Sequence, residues 1–324
     1  MPDATPNSAI VMTGGTSGFG LIALRMVAAN TTTPVIVGAR DTNKLPNDLR
    51  DRVTVLPLDL ASRQSVATFC LDVAKHGPIG HLVLNAGLSP RKLETTSDGY
   101  DRAFQVNYLA TFELVYRLWD TLTPEAHIII TSSGTHDPDE KTPPPPPRHA
   151  NVAMLANPTS DPDLDKMATR AAARSYTASK LCCTMLSLEL ASRRPMGTSI
   201  SFDPGLVPGT SLTREFPQWL VKLLIPIMSR TMPADRTSTM SASATALAYL
   251  MVGRSLTGRN GDYLAMRGGY PMATHPSKLA RNDKERTTLW LDSEDLLGLR
   301  LNGGDTTKAA WDTQSRDFPR NAAR

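Results

Sequence analysis

Ile10-Val11-Met12-Thr13-Gly14-Gly15-Thr16-Ser17-Gly18-Phe19-Gly20 is the stretch that decides the fold. Its first four residues are mostly apolar and β-branched, which reads as a short buried strand. The glycines that follow interrupt any regular element and read as a tight turn. Beyond them Leu21, Ile22, Leu24, Met26 and Val27 recur at helical spacing. Strand, turn and helix make one unit, and the same alternation continues outward from it. Strands are expected at Pro34–Gly38, Val53–Leu56, His81–Leu84, Ile128–Ile130, Ser199–Phe202 and Asp262–Ala265. Helices are expected over Ser62–Lys75, with Ser62 as N-cap, and over Tyr100–Leu122, Ser175–Arg193 and Arg236–Met251.

Strands and helices joined by short connections predict an α/β fold, a single Rossmann-type doubly wound parallel sheet of about seven strands with helices on both faces. One catalytic domain is expected over residues 1–302, with a flexible tail at 303–324. The alternation breaks between Gly134 and Ser175, a polar insertion holding five consecutive prolines, Pro143 to Pro147. Such a run favours polyproline II; it reads as a solvent-exposed insertion near the site or as a recognition ligand. Residues 205–235, with Phe216, Trp219, Leu220, Leu223 and Leu224, are expected to form a substrate lid.

A net charge of +4, with Lys and Arg dispersed along 324 residues, argues against a nucleic-acid groove. Cys70, Cys182 and Cys183 form neither a disulfide framework nor a metal-ligand spacing, so no metal is expected. Met1–Ala9 lacks a basic stretch followed by an apolar run, and Trp219–Met228 is too short to span a bilayer. No stable membrane insertion and a cytoplasmic location are the expectations.

The chemistry is concentrated at strand ends. Gly14, Thr16, Ser17, Gly18, Phe19 and Gly20 lie between a strand and a helix, where the backbone can approach a pyrophosphate met by the helix N-terminus. Arg40 stands at the end of the second strand, where an acidic residue would bond the ribose of NAD; an arginine there suits a 2′-phosphate, hence NADP(H). Asp59 and Leu60, after the third strand, are placed near an adenine edge, and Asn85-Ala86-Gly87 would let the chain pass close to the cofactor. Tyr176 and Lys180 are four apart on a helix, so phenol and ammonium share a face, and the ammonium should draw the phenol towards neutrality. Of Ser132 and Ser133 at the end of the fifth strand, only one can face that tyrosine. Asn107 is placed to organise a water between Lys180 and solvent.

These residues resemble the short-chain dehydrogenase/reductase family over about residues 8 to 270. The matching motifs are Thr-Gly-x-x-x-Gly-x-Gly from Thr13 to Gly20, Asn85-Ala86-Gly87, Asn107, a serine, Tyr176-x-x-x-Lys180 and Pro204-Gly205. The resemblance implies Tyr176 as proton donor, Lys180 lowering its pKa and holding the nicotinamide ribose, and Ser133 orienting the substrate oxygen. It implies a cofactor-binding part for Pro204 and Gly205, and pairing of the Asn107 and Tyr176 helices in a homodimer or homotetramer. Ser133 and Tyr176 stand 43 positions apart. That spacing, with Gly38 to Asp41, is similar to the retinol-dehydrogenase and protochlorophyllide-reductase-like branch.

The expected function is an NADPH-dependent carbonyl reductase or alcohol dehydrogenase acting on a hydrophobic, polycyclic or polyketide-derived ketone in secondary metabolism. A retinol- or steroid-type dehydrogenase is the nearer alternative, and a non-catalytic NADP(H)-sensing regulator the more distant one.

Overall fold

A computed structural model describes residues 8–207, 234–253, 256 and 258–299. The expected lid at 205–235 falls mostly outside them, as does the expected tail.

Among the described residues the sheet has eight strands in the order β3-β2-β1-β4-β5-β6-β7-β8. They are β1 (Ala9–Thr13), β2 (Val35–Ala39), β3 (Thr54–Pro57), β4 (Ile79–Leu84), β5 (Leu122–Thr131), β6 (Thr198–Asp203), β7 (Tyr263–Arg267) and β8 (Tyr270–Thr274). All neighbours pair in parallel except β7 and β8, an antiparallel hairpin. The order reverses between β1 and β4, the position at which open α/β sheets form a ligand crevice at the carboxyl ends of their strands.

The helices α1 (Gly18–Asn30), α2 (Arg63–Ala74), α3 (Arg102–Phe104), α4 (Ala110–Arg117), α5 (Val152–Ala156), α6 (Ala168–Arg193), α7 (Met240–Met251) and α8 (Asp283–Leu296) cover both faces. Alternation along the strands divides the core in two. Ile10, Met12 and Ile129 pack with Leu24 and Val27 of α1 and Leu247 of α7. Val11, Ile128 and Ile130 pack instead with Phe69 of α2, Phe112 of α4, Leu181 of α6 and Trp290 of α8. Ser62 caps α2, its Oγ accepting from Ser65 N at 3.3 Å.

Two expectations change, and one element is new. The stretch from Tyr100 to Leu122 is not one helix: α3 leads into a π-helix over Gln105–Leu109 and then into α4, and β5 begins at Leu122. The insertion is not a free loop. Thr177 Oγ1 donates to Pro145 O at 2.8 Å and Arg174 to Pro146 O, so the proline run lies along the start of α6. Arg148 adds an ion pair to Asp161 at 2.7 Å, and Arg174 one to Asp165 at 2.5 Å. Finally, α8 was not expected at all. Trp290 meets Phe112 edge-on at 4.9 Å, and Tyr108 shares a 2.7 Å hydrogen bond with Ser293. Leu181, Met185 and Leu190 of α6 are buried within this one chain.

Candidate active site

The tips of β1, β4 and β5 are laced together by side chains. Thr13 Oγ1 accepts from Asn85 N and Ala86 N, both at 3.1 Å. Asn85 Nδ2 donates to Gly14 O at 3.1 Å, and Thr131 Oγ1 donates to Asn85 Oδ1 at the same distance. A side chain at Gly20 would overlap Gly14 O, so the turn closes this tightly only with glycine there. Gly18, at φ +60°, has open space where a Cβ would stand, and Ser17 makes no side-chain cap on α1. The first amides of α1 therefore face a cradle free of side chains, which fits a pyrophosphate. Thr16 and Ser17 lie half-buried at its rim, whereas Phe19 and Leu60 bury their side chains in the two cores and offer only backbone.

Arg40 is exposed. Its neighbour Asp41 is occupied locally, accepting from Asn43 N at 3.1 Å and pairing with Lys44 at 3.8 Å. Asp59 is half-buried, with Oδ1 taken by Ala61 N at 3.0 Å. At the end of β6, Asp203 Oδ1 accepts from Gly205 N at 2.9 Å and Pro204 O accepts from Ser243 Oγ at 2.8 Å, which fixes the Pro204-Gly205 turn.

Tyr176 and Lys180 project from α6 with 7% and 3% exposure. Ser133 stands close enough to the Tyr176 phenol to act on it, lowering its pKa. Ser132 faces the other way, its Oγ donating to Lys180 O at 3.0 Å and sharing a 2.6 Å bond with Thr184. Strand alternation thus puts one serine at the phenol and the other in the packing behind α6. The Lys180 ammonium donates to Thr131 O at 2.8 Å, and burial lowers its pKa.

The phenol does not move towards neutrality as expected. Burial pushes Tyr176 up to about 12, against Ser133, which acts to lower it. Desolvation of the phenolate outweighs its neighbours. At neutral pH the side chain is a phenol, competent to donate.

Asn107 stands in the π-helix. Its Oδ1 accepts from Leu88 N at 2.8 Å, and its Nδ2 donates to Leu88 O at 3.0 Å and to Ser179 Oγ at 2.9 Å. Its carbonyl accepts from Thr111 Oγ1 at 2.9 Å and Cys183 Sγ at 3.1 Å. The amide thus clamps the Gly87-Leu88 turn to α6 rather than being left free for a water. A Cβ at Gly87 would stand 3.2 Å from Asn107 Oδ1 and 3.3 Å from Lys180 Nζ, so the three residues converge.

Residues not singled out in the sequence complete the floor. Tyr263 donates to Asp203 Oδ2 at 3.2 Å, and His136, 1% exposed, bonds Ser133 O at 2.7 Å. An acidic residue directly before Pro204-Gly205 at a buried strand end was the available signal for Asp203; Tyr263 and His136 carried none. Among the described residues no cluster of three or more His, Cys, Asp or Glu is placed to hold a metal, and no helix is long and apolar enough to cross a membrane.

The short chain dehydrogenase family model matches residues 8–140. A WW domain-containing oxidoreductase of Drosophila melanogaster is 30% identical over 76% of this chain, and the match spans 56% of that protein's length. Protochlorophyllide reductase A, chloroplastic, of Oryza sativa subsp. japonica is 28% identical over 90% of this chain and 80% of its own. A Mycobacterium paratuberculosis protein of solved structure superposes with a TM-score of 0.63 at 21% identity, covering 91% of this chain and 97% of that one. Sequence, strand order and relatives agree that the chain belongs to the short-chain dehydrogenase/reductase family of oxidoreductases.

Proposed function

We propose that the protein is an NADPH-dependent reductase of an apolar ketone. The observation that carries this reading is Ser133 placed where it acts on the Tyr176 phenol, with Lys180 buried on the same helix and the phenol held protonated. The cofactor supplies the hydride that adds to the carbonyl carbon. Tyr176 gives its proton to the carbonyl oxygen as charge develops there, and Ser133 donates a hydrogen bond to the same oxygen. Lys180, anchored on Thr131 O, would offer its remaining donors to the cofactor ribose.

Gly14, Gly18 and Gly20 would admit the pyrophosphate and Asn85 to Gly87 would flank it. Pro204 and Gly205 would line the nicotinamide side. Arg40, whose acidic neighbour is engaged elsewhere, supports a 2′-phosphate and hence NADP(H). The rice relative is by name a reductase, which supports the reductive direction. The apolar character of the substrate rests on the sequence from Phe216 to Met228, outside the described residues.

The test is a fluorescence titration with NADPH and NADH, repeated on Arg40→Ala. NADPH is expected to bind more tightly, and the variant to lose about 10–100-fold for NADPH with little change for NADH. NADH binding equal to or tighter than NADPH in the unaltered protein would overturn the cofactor assignment.

A further inference from the structure

We propose that His136 is the positioning residue of Ser133, acting as a neutral imidazole that carries its proton on Nδ1. The inference rests on the reductase reading of Ser133 and Tyr176.

The Ser133 carbonyl accepts twice from the same residue, from the His136 backbone N–H at 3.2 Å and from Nδ1 at 2.7 Å. A carbonyl oxygen only accepts, so Nδ1 bears hydrogen. Across the ring, Nε2 lies 3.2 Å from the backbone N–H of Ser277. A backbone N–H only donates, so Nε2 is bare. Two partners of opposite kind thus fix the tautomer. A second proton on this buried ring would set one N–H against another at Ser277, and burial indeed lowers the imidazole.

Ser133 needs such support. It lies two residues beyond the end of β5, in extended backbone at φ −167°, with no ladder of its own. Besides Tyr176, its hydroxyl is met only by Thr135 N at 3.4 Å, a weak contact. The direction of its Cα–Cβ bond therefore depends on the plane of its peptide, which His136 holds by two bonds. The imidazole is braced in turn. It packs on the Tyr263 ring with centroids 5.0 Å apart; Tyr263 bonds Asp203, and Asp203 holds Gly205 N. One chain of contacts joins the turn expected to line the nicotinamide with the serine at the phenol.

Asparagine and glutamine separate the two halves of the imidazole. In His136→Asn the amide nitrogen can take the place of Nδ1 and keep the bond to Ser133. In His136→Gln the amide oxygen can reach Ser277, leaving the Ser133 carbonyl without its side-chain donor. Both variants lose the contact with Tyr263, so a merely structural role lowers thermal stability and turnover alike in both. With NADPH and 9,10-phenanthrenequinone as probe, kcat should fall about 10–100-fold in His136→Gln at unchanged KM, and recover to within about threefold in His136→Asn. Equal kcat in the two variants overturns the inference.

Ser133→Ala and Tyr176→Phe run alongside. If both turn over like the unaltered protein, the reductase reading fails; if both are inactive while His136→Gln is intact, the positioning role fails alone. The tautomer is read without any substrate, by 15N resonances of histidine-labelled protein at pH 6.5, with the His136 signal identified by its loss in His136→Asn. A neutral Nδ1–H ring is expected, and an Nε2–H or doubly protonated ring overturns the proposal whatever the quinone assay gives.

Discussion

The paired strands β4 and β5 carry a polar cluster at each end of their continuous pairing, and the two clusters meet burial differently. At the carboxyl end Asn85, Thr131 and Ser132 exchange hydrogen bonds with β1, β6 and α6. Where the continuous pairing of the two strands begins, His81 and His127 meet with tilted rings, centroids 5.0 Å apart, and neither Nδ1 has a hydrogen-bond partner. Burial lowers both imidazoles, His81 to about 4. The same two strands thus hold polar residues by partners at one end and by suppressing their charge at the other. Orientation matters only where chemistry is done, and a ring that need only fill space is tolerated while neutral.

The sharpest way to break this contrast is Tyr176→Phe. Turnover should fall by about 10²–10⁴-fold while NADPH still binds. A variant that stays within tenfold of the unaltered protein would remove the carboxyl end from the chemistry.

The amino end is tested by acid. The His81 pKa is about 4 in the fold against 6.5 for an ordinary imidazole, so the folded state binds fewer protons between those values. Its contribution to stability is complete above pH 6.5 and is lost as pH falls towards 4, by about 3 kcal/mol. In His81→Gln, urea unfolding free energies should decline less between pH 7 and pH 4.5 than in the unaltered protein. Parallel declines would mean that His81 is not the group responsible.

The carboxyl end shows the mirror image in base, with a slightly smaller effect. Tyr176 is raised to about 12 from the ordinary phenol value of 10.0, so its contribution is present below pH 10 and is lost as pH rises towards 12. The loss amounts to about 2–3 kcal/mol. Alkaline unfolding of Tyr176→Phe should be correspondingly less steep, and an unchanged slope would place the phenol in contact with solvent.

The inner strands were legible because a parallel strand covered on both faces is an unbroken apolar run, as Ile10-Val11-Met12 and Ile128-Ile129-Ile130 are. The edge strand β8 was not: Tyr270 and Met272 are exposed, and Pro271 disguises the strand. Helix α8 escaped because few apolar side chains, chiefly Leu289 and Trp290, face the core along an otherwise polar segment. The π-helix at Gln105–Leu109 left no trace, since it changes hydrogen-bond register without a glycine or proline to mark it. In the site, Tyr176 and Lys180 follow from local spacing, whereas the choice of Ser133 over Ser132 came from the family resemblance. His136 meets Ser277 across 141 positions and Tyr263 meets Asp203 across 60, distances over which no local pattern speaks. The direction of the Tyr176 shift was misread for a related reason, because burial is a property of the whole fold.

The run Pro143–Pro147 has one more consequence, which lies in the unfolded chain. Each proline has φ fixed near −65° before folding begins, so these residues surrender little backbone freedom when they settle against Arg174 and Thr177. A flexible strap of the same length would give up about 1–2 kcal/mol of conformational entropy per residue. Stiffness in the disordered state therefore adds to the ion pairs of Arg148 and Arg174 and the buried Val152 and Leu155 in keeping the insertion seated against α6.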